Sequence, residues 1–327
     1  MWTPARSVLR ILGGIIVIAH WSAFDSSAQS YPVKPIRIFV GFAVGGSTEV
    51  VTRVVAQRLS EQLGQPMVVE TRPGASGAIA TETVATSSAD GYTLLMLAGS
   101  TVVQSSLRSK LPYDVARDLA PVSLVVNGPL VLVVHPSVPA DKVEKLIAYA
   151  RSRPGKLTYG SDGTAGVSHL AGELLKMMAK VNIVHVPYKG GGAVVIGIAT
   201  GDVDMAVTSI TAAQPFLSTG KLRALAVSTL KRVSSLPAIP TLNESGLPGY
   251  DYSSWQGVVG PAGMPKGIIA QLNAAISKTV NTPEMKGVLS KLGREVETNT
   301  PEQFAKFIDN QMANNTRLAK FIGFKVE

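Results

Sequence analysis

The stretch GFAVGGSTEVV, residues 41–51, sets Gly45, Gly46, Ser47 and Thr48 between an apolar run, IRIFV, and an amphipathic pattern. A glycine turn that opens a helix leaves free backbone N–H groups at the positive end of the helix dipole. Such groups bind an anion without a cationic side chain. Serine and threonine hydroxyls add adaptable donors. The arrangement recurs at Gly99-Ser100-Thr101, at Gly160-Ser161-Asp162-Gly163-Thr164 with Ser168, and at Thr208-Ser209, each time after a strand-like run. Taken singly, each hydroxyl is also an ordinary helix cap, and Ser47 reads as a normal N-cap. Four such loops, all following strands, point to a ligand. Glu49 opposes this slightly, because a carboxylate in the first turn draws on the same dipole.

A nucleotide is a poor fit for that anion. GFAVGG lacks the G-x-G-x-x-G spacing, no G-x-x-x-x-G-K-[ST] occurs, and Gly160, Gly163 and Gly166 match neither pattern. Catalysis finds little support. His169 and Glu173 are spaced for one helix face, but no third ligand completes a zinc site. No G-x-S-x-G elbow is present, so an exported hydrolase with a serine near His169 or His185 is the weaker alternative. His135, His169 and His185 read as satisfied or solvent-facing side chains. Asp162, Asp202 and Asp204 could each hydrogen-bond a ligand hydroxyl or amine, and each could equally be a turn or cap residue.

The elements that would position these loops alternate. The strand IRIFV ends at Gly41, a helix runs to Gly64, PMVVE is the next strand, and the turn TRPGASG leads to a helix over 78–86. YTLLMLAG, 92–99, is a third strand. Strands separated by helices at this spacing imply parallel β-α-β units. The passage 121–137 is one long β-rich run with a kink expected at Asn127-Gly128, where the chain would leave one sheet for another. A second α/β series follows: LTYGS, a helix over 167–180, NIVHVPY, a short helix after Gly192, DMAVTS and LRALAVST. Residues 249–263 form a second crossing passage, and 266–327 read as a helical tail capped at Thr300-Pro301. The ligand cleft of two such lobes lies outside the carboxyl ends of the strands, between the lobes.

Composition bounds the class. The chain has 327 residues, 46% of them apolar and 16% charged, with no cysteine. Disulfide frameworks, thiolate metal sites and cysteine nucleophiles are excluded. The formal charge of +9 is spread without a basic run, so no nucleic-acid partner is expected. Residues 1–28 read as a cleavable signal peptide: Arg6 and Arg10, the apolar core ILGGIIVIA, then Ser26 and Ala28 before the cut. His20 interrupts the apolar run too early for a membrane anchor, which needs about 18 residues. Export to the periplasm follows if the host is Gram-negative.

YPVKPIRIFV, GGSTEVV, LSEQLGQPMVVETRPGASG, ADGYTLLMLAGS, KLPYDVARDLAPVSLVV, HLAGELL, IVHVPYKGGG, GKLRALAVST, LPAIPTLNESGLPGY and GPAGMP run in one order across residues 31–327. In this the chain resembles the Bug-type extracytoplasmic solute receptors, the binding proteins of tripartite tricarboxylate transporters. The resemblance implies an α/β type II periplasmic-binding-protein fold: two lobes, 29–126 with 254–327 and 127–253, joined by two crossing segments around a cleft that closes on its ligand. It implies a small organic carboxylate as ligand, membrane transporter components as partners, a monomer, no cofactor and no catalysis. Carried over loop by loop, the expected contacts are Phe42, Gly46, Ser47 and Thr48, then Gly99 and Ser100, then Gly163, Thr164 and Ser168, and finally Asp204 and Thr208. Phe42 and Trp255 would line the pocket. The family usually has proline where Gly41 and Val44 stand, aspartate at Glu49 and asparagine at Thr71. A sensor feeding a membrane kinase would share the cleft and differ only in partner.

Overall fold

The computed structural model describes residues 31–107, 110–188, 190–321 and 323, besides Met1 and Trp2. Residues 3–28 of the expected signal segment lie outside the described residues. β1 (Ile36–Val40), α1 (Ser47–Leu63), β2 (Met67–Thr71), α2 (Ala78–Ala85), β3 (Thr93–Ala98) and α3 (Gly99–Leu107) form the first α/β series. β1 pairs in parallel with both β2 and β3. The α1 side chains Val51, Val55 and Leu59 are buried at helical spacing, and Gly64 ends the helix at φ 67°, a left-handed conformation that glycine adopts without a Cβ penalty.

After the short α4 (Val115–Asp118) comes β4 (Leu119–Val134), sixteen residues long. Its first part pairs antiparallel with a later strand, β9 (Ser253–Pro261), as far as Pro129. From Leu130 it pairs with β7 (Met205–Ser209) and β8 (Arg223–Val227) instead. The second series is α5 (Val143–Ser152), β5 (Thr158–Ser161), α6 (Val167–Ala179), β6 (Val184–Pro187), α7 (Gly191–Thr200), β7 (Met205–Ser209), α8 (Ile210–Ser218) and β8 (Arg223–Val227). The chain returns through β9 (Ser253–Pro261) and ends with α9 (Lys266–Val280), α10 (Pro283–Lys291), β10 (Glu295–Val296) and α11 (Pro301–Phe321). The strand order is β2-β1-β3-β9-β4-β7-β5-β6, so β4 carries the sheet from one half to the other.

Three features depart from the expectations. Gly128 does not break β4; the strand runs through it. A Cβ there would lie 1.8 Å from an Arg294 nitrogen, so the glycine gives room for a side chain crossing the strand. The tail is not wholly helical, because Glu295 and Val296 pair with Asn127 and Val126. Nor does α11 stay in the first half. Phe304 and Ile308 pack around Trp255 there, while Leu318 and Ala319 join the core of the second half. An amphipathic helix of 21 residues spans about 30 Å, enough to bury its two ends in different cores.

Phe304 is fully buried and meets Trp255 edge to face with centroids 5.8 Å apart. Phe304→Ala is expected to lower stability by about 3–5 kcal/mol, through lost transfer energy plus the cavity left behind. Urea denaturation of the variant beside the parent chain checks this.

Candidate ligand-binding site

The carboxyl ends of the strands converge where β4 changes partners. Ala98, the last residue of β3, pairs with Gln256; Ser209, the last of β7, pairs with Leu130. β5 runs parallel to β7, so Ser161 ends on the same edge. The loops from both halves therefore open toward the crossing.

In the first loop Gly45 takes φ 82° and Gly46 is the N-cap of α1. Ser47 is thus the first helical residue and not the expected cap. Its hydroxyl is exposed and accepts a hydrogen bond from Arg294 Nη2. Thr48 is buried, and its Oγ1 accepts from Gln256 Nε2 at 3.2 Å. Glu49 is turned back into the loop. Its carboxylate accepts the Gly45 N–H at 3.1 Å and pairs with Arg53. The Gly45 bond, with Arg53 behind it, holds the Glu49 carboxyl below its ordinary pKa. Its charge is therefore neutralised locally and competes less with an anion at the Ser47 and Thr48 amides than the sequence alone implied.

Phe42 is half-buried beside the core of the first half. Gly99 and Ser100 open α3 directly from β3, with no connecting residue. A Cβ on Gly99 would sit 2.8 Å from the Trp255 indole nitrogen. Trp255 is only 1% exposed and packs on Phe304 and Phe307, so it is a core residue and not a pocket lining. The turn 74–77, which sequence reasoning took only as a connection, lies against this loop. Thr101 Oγ1 donates to the Ser76 carbonyl at 3.1 Å, and a Cβ on Gly41 would lie 2.5 Å from Gly77 Cα. That contact leaves no room for a side chain at 41. The glycines of TRPGASG were the available signal for this turn.

In the second half Gly163 has φ 138° and Thr164 is exposed at the tip of the β5–α6 loop. Ser168 is buried, and its hydroxyl donates to Asp162 Oδ1 at 2.5 Å while accepting the Asp162 N–H at 2.7 Å. It fastens the loop from below. Thr208 is buried beside Gly191, at the start of α7. Asp204 is not brought to the crossing. It precedes β7 at the opposite end, where Oδ2 accepts from the Thr158 N–H at 2.7 Å and the Thr158 hydroxyl at 2.9 Å. It joins the starts of two strands, a role that its position before the apolar run left open.

Beneath the second-half loop lies a polar stack. The His169 and His185 rings are 3.9 Å apart, with Tyr159 5.0 Å from His185. His169 Nδ1 accepts the Ala165 N–H at 3.0 Å, and Ser161 Oγ is 2.6 Å from His185 Nε2. Glu173 accepts from the Tyr159 hydroxyl at 2.6 Å, with Lys176 3.3 Å away. Ser161 is fully buried, so this serine–histidine pair cannot present a nucleophile to a substrate. Among the described residues no group of three or more metal-ligating side chains converges. A cavity of about 360 Å³ lies elsewhere, lined by Asn127, Lys231, Arg232, Asp251 and Glu295, and contains none of the expected contact residues.

Sequence reasoning missed Arg294. It follows α10 as a lone arginine in LGREVE, with nothing local to mark it. The fold brings it to Ser47 and Ser254.

Residues 51–324 match the family model of the tripartite tricarboxylate transporter family receptor. The chain belongs to that receptor family. Protein BugT of Bordetella pertussis is 36% identical over 316 residues, which is 96% of this chain and 97% of BugT. An R. palustris protein solved with adipate is 35% identical with a TM-score of 0.72, covering 90% of this chain and 99% of that one. MatC from Rhodopseudomonas palustris, solved with bound malate, is 30% identical with a TM-score of 0.68 over 88% and 99%. The receptor has the two-lobed type II periplasmic-binding-protein fold, with β4 paired in both halves.

Burial, and then the neighbouring His169, lowers the His185 pKa to about 4. Unfolded His185 takes a proton near pH 6.5 and the folded ring does not, so the receptor should lose stability as pH falls from about 6.5 toward 4. Asp251, raised to about 6 by burial, acts in the opposite sense over part of that range. The comparison is therefore between the parent chain and His185→Gln, which should flatten the acid side of a plot of melting temperature against pH.

Proposed function

We propose that this receptor captures a small dicarboxylate between its lobes in the periplasm and delivers it to the membrane components of a tripartite carrier. The observation that carries the reading is the meeting of helix starts from both halves at the crossing: α1 and α3, each opened by a glycine, from one, and α6 after Gly166 and α8 after Ser209 from the other. The relatives solved with adipate and with malate supply the ligand class. The contacts are Phe42, Gly46, Ser47, Thr48, Gly99, Ser100, Gly163, Thr164 and Thr208, with Ser168 acting through Asp162. The lobes divide as 29–126 with 254–327 and as 127–253, apart from the end of α11. The exported chain starts at Gln29 and acts as a monomer, without cofactor or catalysis.

Closure needs a ligand that touches both lobes, because an equilibrium shifts only through differential affinity. Closing excludes water, and neutral N–H and O–H donors then become stronger partners for the anion. Calorimetry with adipate, malate and ATP tests the class. Binding of either dicarboxylate, a smaller radius of gyration by small-angle scattering with ligand, and no response to ATP are the expected results. A preference for ATP would overturn the reading.

Ser47→Ala is expected to weaken dicarboxylate binding by roughly 10- to 100-fold, since a hydrogen bond to a charged group contributes about 1.5–3 kcal/mol. Apo stability should hold, because Gly46 and not Ser47 caps α1. Thr164→Ala should weaken binding from the other lobe, and unchanged affinity in both variants would remove the loops from the site.

A further inference from the structure

Arg294 stands apart from the other charged groups near the crossing. Its side chain lies across Gly128, where a Cβ would collide with Nη1, and reaches Ser254 on β9 and Ser47 on α1. Nη1 donates to Ser254 Oγ at 3.0 Å, and Nη2 donates to the Ser47 hydroxyl. Nε is buried and has no hydrogen-bond partner among the described residues. The carboxylates around it are engaged elsewhere. Glu49 holds Gly45 and Arg53, Glu295 takes the Ser234 N–H and hydroxyl, and Glu297 takes Asn127. Burial is the one influence on the guanidinium, and it pulls its pKa below the ordinary arginine value.

A partly buried cation without an anion is costly, and neutral hydroxyls do not compensate its charge. We propose that Arg294 is the charged anchor of the ligand, pairing one carboxylate beside Ser47 at the start of α1. The inference rests on the carboxylate-receptor reading and deepens it. The planar fork suits a carboxylate, which takes two parallel N–H bonds in a way that a lysine ammonium does not match. The α1 amides approach the same anion from the helix side, with the dipole behind them. The preceding residue ties this anchor to the other lobe: at Gly293, φ 69°, a Cβ would lie 1.9 Å from Thr211 Oγ1 on α8. The Arg294 loop therefore sits in the seam, where a paired carboxylate favours the closed arrangement.

The alternative role is a brace that joins Ser47 to Ser254 and needs no ligand. The two roles predict opposite effects on the ligand-free protein. Arg294→Met removes a half-buried charge and keeps an unbranched apolar stem. If Arg294 is the anchor, the melting temperature without ligand holds or rises, and calorimetric affinity for succinate, glutarate or adipate falls by about 30-fold or more. Arg294→Lys keeps the charge without the fork and should recover part of the affinity. A fall in the ligand-free melting temperature of Arg294→Met would identify a brace and overturn the proposal. So would an affinity equal to that of the parent chain. A parent chain that binds none of the three acids would instead sink the carboxylate-receptor reading, and the anchor with it.

Discussion

β4 is sixteen residues long and belongs to both halves of the molecule. Up to Pro129 it is held by β9, and from Leu130 by β7 and β8. Because the strand continues through the change of partner, the strand ends of both halves must arrive at its middle. Ala98 is placed there by its pairing with Gln256, and Ser209 by its pairing with Leu130. The helices that start from those ends inherit the position. A site assembled in this way needs no long loop, and β3 passes into α3 with no connecting residue at all.

Charge is managed with the same economy. Glu49 would oppose an anion at α1, yet its carboxylate is folded onto the Gly45 N–H and paired with Arg53. Arg294, farther along the chain, lies beside Ser47 with no acidic partner among the described residues. The first loop thus meets an approaching carboxylate with its own negative charge neutralised and a guanidinium alongside. In the second half the loop is shaped from below by Ser168 on Asp162 and by His169 on the Ala165 N–H. Both contacts hold backbone in place, including Ala165 at φ 59°. Burial lowers the pKa of both stacked histidines, so the two rings add no positive charge under the loop at ordinary pH.

The sequence by itself determined the alternation of strands and helices, the two crossing passages and the glycine-hydroxyl loops. These are local signals: hydrophobic period, glycines at several turns and hydroxyls at several helix starts. It also determined the family, because the motifs occur in one order along nearly the whole chain. Tertiary structure decided which residues meet. Arg294 is 247 positions from Ser47, and no local pattern marks such a pair. Trp255 is expected with Phe42 to line the pocket, and the arrival of Phe304 and Phe307 from α11 buries it instead. Asp204 and Thr208 are four residues apart on one short run, yet a strand has two ends and only one of them faces the crossing. The pairing of β7 with β4 decides which, and it leaves Asp204 bound to Thr158 on the far side.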